Sequence, residues 1–227
     1  MSETVLVDLR EVWQARANAW IRWARSPDLD ADFWRFHLAH FLDLLPPPGQ
    51  LTVDIGCGEG RLGRVLAAAG HRVVGCDAAF GMVQAATVDA PEACGSVVAD
   101  AAMLPLRDRA ADLVIAFMGL HDFDRMRAAV AEAARVLAAD GRVAIALLHP
   151  VVTARLAGTY AAERRYTLDT AEKTGLAMTY EGLHRPLTAY TSAMAASGLV
   201  IEAIREPVKT DGDSVTMPFL HLLARRA

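Results

Sequence analysis

Between Leu51 and Leu148, short apolar runs of strand length alternate with segments whose apolar residues recur every three or four positions. Parallel strands are buried on both faces and need crossovers of helix length, so this alternation predicts a parallel sheet covered by helices on both sides. The runs place strands at about 51–55, 72–76, 96–99, 112–117 and 142–148, with helices at 60–69, 79–88 and 124–138. Upstream, Trp13, Ala17, Trp20 and Ala24 share one helical face, and Phe33, Phe36, His37, His40, Phe41 and Leu44 share another. Two short helices therefore precede the core, cut off from it by Pro46-Pro47-Pro48-Gly49. Beyond Pro150 a long, less regular stretch predicts a lid. Arg185-Pro186 then opens a helix that Gly198 closes, and strands near 199–205 and 217–224 follow. The expected organisation is one α/β domain over 1–227: a helical cap at 1–46, a core at 50–150, a lid at 151–185, and a helix with the last two strands at 186–227.

Composition narrows the partners. With 53% hydrophobic and 22% charged residues in 227, the chain has ample material for a core. A net charge of -4 without a basic run lacks the electrostatic footprint of a nucleic-acid binder. No apolar run reaches the ~18 residues that cross a membrane, and Met1 to Arg25 is broken up by charges, unlike a secretion signal. A cytoplasmic monomer or homodimer with a small-molecule substrate is expected, without nucleic acid or membrane. Cys57, Cys76 and Cys94 are too few and too scattered for a disulfide framework or a zinc site, so no metal is expected.

The chemistry gathers at the strand ends. Val53-Asp54-Ile55-Gly56-Cys57-Gly58-Glu59-Gly60-Arg61 is an apolar strand running through closely spaced glycines into a helix, which lets a ligand approach the backbone. The second strand ends in Asp77, placed to take a ribose diol in two hydrogen bonds. The third ends in Asp100-Ala101, where a carboxylate can accept from the exocyclic amine of adenine. All three tips meet at the carboxyl edge of the sheet. Gly58 to Gly63 also spells G-x-G-x-x-G, the dinucleotide fingerprint of an oxidoreductase. However, the first glycine after the strand is Gly56, and counting from it puts Arg61 where the third glycine belongs. The carboxylate of Asp54 would repel a pyrophosphate and attract an ammonium.

Asp54-x-Gly56-x-Gly58-x-Gly60, Asp77, and Asp100-Ala101-Ala102-Met103-Leu104-Pro105-Leu106 together resemble class I S-adenosylmethionine-dependent methyltransferases of the small-molecule type 11 family. Ala134 to Gly141 resembles the family's approach to strand five, with Ala-Asp-Gly in place of Pro-Gly-Gly; a weaker likeness extends over His184-Arg185-Pro186-Leu187 and Gly198 to Pro207. The resemblance implies a doubly wound, seven-stranded, mostly parallel Rossmann-like sheet whose last strand is antiparallel. It implies S-adenosylmethionine as cofactor and S-adenosylhomocysteine as product. Asp54, Gly56, Cys57, Gly58 and Gly60 would hold the methionine moiety, Asp77 the ribose, and Asp100 with Ala101 the adenine. Phe117 and Met118 would lie near the sulfonium. Ala78 replaces a larger apolar residue, leaving adenine packing to Phe80, Met82 or Met103. His121 and His149, after strands four and five, are candidate general bases. Trp20, Tyr160, Tyr166 and His184 are candidate acceptor contacts. The remaining alternatives are a catalytically silent cofactor-binding module and a nicotinamide-dependent oxidoreductase.

Overall fold

The computed structural model describes residues 8–88, 90–169, 176 and 179–227. At the start of the chain, α1 (Leu9–Ala24) is capped by Asp8, whose carboxylate accepts from the Arg10 N–H. A π-helical turn, Phe33–His37, runs straight into α2 (Leu38–Leu42) and completes the cap. The core then alternates as β1 (Thr52–Ile55), α3 (Arg61–Ala68), β2 (Val73–Asp77), α4 (Phe80–Val88), β3 (Cys94–Val98), β4 (Ala111–Phe117), α5 (Met126–Val136) and β5 (Leu137–Leu148). Next come α6 (Pro150–Ala157), a hairpin of β6 (Arg164–Asp169) and β7 (Thr179–His184), and α7 (Leu187–Ala196). The chain ends with β8 (Leu199–Arg205), a small hairpin of β9 (Lys209–Asp211) and β10 (Ser214–Thr216), and β11 (Phe219–Arg226).

The sheet order is β3-β2-β1-β4-β5-β11-β8, and β11 runs antiparallel to both its neighbours. This is the doubly wound, seven-stranded arrangement expected from the sequence. The order reverses between β1 and β4, so their carboxyl ends open a crevice at the switch point. Side-chain alternation divides the core into two layers. Val53, Ile55, Val114, Ala116, Val143, Ile145 and Leu147 pack with Met126 and Val130 of α5 and Tyr190 and Met194 of α7. Leu113, Ile115, Phe117, Ala144 and Ala146 face the other way, onto Leu62 and Leu66 of α3 and onto Phe33 and Phe41 of the cap.

Two expectations need correction. Strand β5 begins at Leu137, inside the helix expected to end at 138, and runs through Asp140-Gly141, where its register shifts. Ala111 pairs with Leu137 and Leu113 with Arg142, so the intervening residues loop out of register. A Cβ on Gly141 would lie 2.7 Å from Leu137 Cδ1 and 2.9 Å from the Asp112 carbonyl oxygen, a space only glycine fits. The expected lid is regular structure: α6 and the β6–β7 hairpin occupy much of 151–185, while 170–175, 177 and 178 lie outside the described residues. Among the described residues no helix is long and apolar enough to cross a membrane.

Candidate active site

The turn after β1 is held open by backbone conformation. Gly56, Gly58 and Gly60 all have positive φ, at 72°, 55° and 81°, where side chains are strained. A Cβ on Gly56 would also sit 2.8 Å from Cζ of Phe123. The Asp77 carboxylate bridges this turn and the next: Oδ2 accepts from the Gly58 N–H and Oδ1 from the Ala79 N–H, both at 2.9 Å. Asp54 is different. It is 1% exposed, and its Oδ1 has no hydrogen-bond partner among the described residues. Burial, reinforced by the charge of Asp77, pushes its carboxyl up to about 7. Burial also raises Asp77, against the pull of its backbone donors. At the third tip, Asp100 Oδ1 accepts from the Ala102 N–H at 2.8 Å, and Oδ2 faces Arg10 at 3.1 Å and Arg125 at 3.6 Å.

These groups line one crevice with about 1190 Å³ of empty space, its solvent mouth included. Of the residues expected from sequence, Asp54, Gly56, Cys57, Gly58, Asp77, Ala78, Met82, Asp100, Ala101, Phe117, Met118 and Trp20 form its wall. Met82 is buried there, whereas Phe80 and Met103 point to solvent at 61% and 73% exposure, so the apolar packing beside Ala78 falls to Met82. Gly60 is turned away and lets α3 approach α4, since a Cβ on it would meet Ala86 Cβ at 2.9 Å.

Both histidines expected as bases lie off the wall. His149 caps α6, with Nδ1 accepting from the Val151 N–H and Nε2 2.8 Å from Glu206 Oε1. His121 is buried behind the wall, with Nε2 3.8 Å from Asp122 Oδ1 and no partner on Nδ1 among the described residues. Burial, and then the nearby Arg185 cation, push it down to about 3. The lid residues are also structural in placement. His184 Nδ1 meets Thr153 Oγ1 at 2.8 Å, its Nε2 donates to the Tyr160 carbonyl at 3.1 Å, and the Tyr160 hydroxyl accepts from the Leu187 N–H at 3.4 Å. Tyr166 is buried in the hairpin, away from the crevice.

Besides Trp20, already expected from sequence, several wall residues escaped sequence reasoning. Helix α1 lies across the mouth: its Leu9 N–H donates to Asp124 Oδ2 at 2.9 Å, and Arg10, Trp13 and Trp20 face inward, the two indoles edge to face at 5.2 Å. Arg61 pairs with Asp30 at 2.5 Å and lies 3.6 Å over the Phe33 ring. Asp122, buried, and Phe123, whose ring lies against Gly56, also line the crevice. Trp13 had a signal in sharing a helical face with Trp20, Arg61 in closing the glycine motif, and Asp122 as the neighbour of His121. The cap contacts join segments too far apart in sequence to announce each other.

Residues 53–145 match the family model described as a methyltransferase domain. That segment belongs to the type 11 methyltransferase family. The chain is 34% identical over 134 residues to a malonyl-[acyl-carrier protein] O-methyltransferase of Methylococcus capsulatus, an alignment covering 57% of this chain and 48% of that protein. It is 36% identical over 101 residues to a probable tRNA methyltransferase 9B of Mus musculus, covering 43% of this chain and 22% of the relative. The chain thus spans about half or less of the length of these relatives. A solved S-adenosylmethionine-dependent methyltransferase from Mesorhizobium loti shares the fold, with a TM-score of 0.71, 23% identity, and coverage of 88% of this chain and 100% of that one.

Family and fold imply S-adenosylmethionine as cofactor and S-adenosylhomocysteine as product. The methyltransferase domain fits that group on its own geometry. The unpartnered Asp54 oxygen suits an ammonium, and a Cβ on Gly58 would meet nothing within 4 Å, so the loop leaves open space beside it.

Proposed function

We propose that this protein transfers a methyl group from S-adenosylmethionine to a small-molecule acceptor. The observation that carries the reading is the buried, unpartnered carboxyl oxygen of Asp54 beside a left-handed glycine loop, in a crevice shared with Asp77 and Asp100. The bound cofactor supplies an electrophilic methyl on a sulfonium. Asp54 would hold the α-ammonium, and the glycine turn would leave room for the methionine part beside the backbone. Asp77 would hold the ribose hydroxyls. Asp100 and Ala101 would hold the adenine edge, with Met82 supplying apolar packing. Phe117, Met118 and the indoles of Trp13 and Trp20 would exclude water around the acceptor and the methyl group.

Where the acceptor atom carries a proton, Asp122 takes it. It is a buried carboxylate on the wall, and neutral His121 stands behind it. A small acceptor is supported by the way α1 roofs the crevice and by the net charge of -4. Calorimetric titration with S-adenosylhomocysteine, NAD and NADP tests the assignment. Binding of the first alone, lost in Asp54→Asn, is expected. Binding of a dinucleotide alone would overturn it. With an acceptor in hand, Asp122→Asn should lower kcat while leaving the S-adenosylhomocysteine affinity unchanged.

A further inference from the structure

Arg185 joins β7 to α7 and is 1% exposed, yet it neither lines the crevice nor belongs to the methyltransferase segment at 53–145. Its guanidinium is spent on one stretch of backbone. Nη2 donates to the Phe123 carbonyl at 2.7 Å and to the Asp124 carbonyl at 3.3 Å, and Nη1 donates to the His121 carbonyl at 3.4 Å. Nε donates to Glu163 Oε2 at 3.2 Å, which balances the buried charge. Three carbonyls in four residues are thus turned toward one planar donor, a task lysine's single ammonium does not match.

That turn carries three groups of the crevice. Asp122 faces into it, Asp124 receives the N-terminus of α1, and the Phe123 ring rests against Gly56 and Gly119. The fit at Gly56 is tight, for a Cβ there would fall 2.8 Å from the ring. A shift of the turn is therefore felt at the glycine loop it touches.

We propose that Arg185 is a positioning residue: it fixes the 120–124 turn, and through Phe123 holds the glycine loop in its cofactor-binding shape. This rests on the methyltransferase reading, so the test has one arm that needs no ligand. In the free protein, Arg185→Lys should speed hydrogen exchange at the Asp122 amide, bonded to the Gly119 carbonyl, and at the Gly60 amide, bonded to the Cys57 carbonyl. Met194→Ala, a cavity variant in the buried face of α7, should cost comparable thermal stability and leave both amides as protected as in wild type.

In the ligand arm, Arg185→Lys should weaken S-adenosylhomocysteine binding about tenfold or more, the scale of one charge-assisted hydrogen bond, while Met194→Ala leaves it within about twofold. Phe123→Ala keeps the buried guanidinium and should weaken binding as well. Adding Arg185→Lys to it should then cost little more. Unchanged exchange at Asp122 and Gly60 in Arg185→Lys would overturn the proposal, as would unchanged affinity in that variant or in Phe123→Ala, or equal weakening by Met194→Ala. A wild-type protein that binds no S-adenosylhomocysteine would instead overturn the methyltransferase reading, with the exchange comparison still deciding for or against Arg185.

Discussion

The sheet-side wall of the crevice is made of successive strand-to-helix turns whose polar groups bond within a few residues or to the next turn. The cap-side wall is α1, tied down by contacts between residues 90 and 115 positions apart, Arg10 to Asp100 and Leu9 to Asp124. Asp77 and Asp100 on the first wall accept buried or half-buried backbone N–H groups, which fix them rigidly. Arg10 on the second is 54% exposed in its side chain, and an exposed ion pair of that kind is weak and screened by salt. The polar ties of the sheet-side wall are therefore firmer than the Arg10 tie of the cap.

The largest test of that contrast is acid. His37 of the cap stacks on Phe219 of β11 at 3.7 Å and on His221 at 4.9 Å. Burial pushes His37 down to about 2, His121 to about 3 and His221 to about 4. Their unfolded values lie near 6.5, so each contributes stability above that pH which is lost as pH falls toward the folded values, about 2 kcal/mol apiece at pH 5. All four tryptophans, Trp13, Trp20, Trp23 and Trp34, lie in the cap. On acidification, the change in tryptophan emission should come at higher pH than the loss of far-ultraviolet circular dichroism. Coincident transitions would mean that cap and sheet separate only together.

Next in size is Asp54→Asn, which should weaken S-adenosylhomocysteine binding by about a hundredfold, two ordinary charge-assisted hydrogen bonds' worth. The same change should stabilise the free protein. The folded carboxyl, at about 7, holds its proton more tightly than the unfolded one near 3.9, so its cost grows as pH rises through that window and is complete above it. The gain in Tm should therefore be clear at pH 8 and absent near pH 4. An equal gain at both would deny that Asp54 is strained by its charge.

Gly56→Ala should cost about 1–3 kcal/mol in thermal unfolding and impair cofactor binding, because both its φ and the Phe123 ring oppose a side chain. Gly58→Ala meets open space and should cost only about 1 kcal/mol, from φ alone. Smallest is Arg10→Ala. Its effect on stability should stay under about 1 kcal/mol and vanish in about 0.5 M salt, and a larger or salt-resistant loss would show the cap to be as firmly built as the sheet.

Much of the sheet-side wall was legible because its determinants are local. Glycines, an acid at each strand tip and an apolar run before each are neighbours in sequence, and the parallel sheet brings consecutive tips together whatever the flanking chain does. His121 and His149 were misjudged for a related reason. Topology put both at the carboxyl edge, but whether a side chain there faces the crevice or the loop behind it depends on the turn. His149 turns back to cap α6, and His121 turns inward beneath the wall. Met103 shows the same limit on an exposed turn.

By itself, the sequence determined the parallel sheet and the carboxylates at its edge, since periodicity and glycine conformations act over a few residues, whereas the antiparallel last strand was implied by the family resemblance alone. Only the tertiary structure decided which wall Trp13 and Arg61 join, that Asp122 lines the crevice where His121 does not, and that Arg185 bonds to the carbonyls of the turn that carries them. Those outcomes depend on packing between segments a hundred or so residues apart, and on which buried polar group finds a partner once they meet.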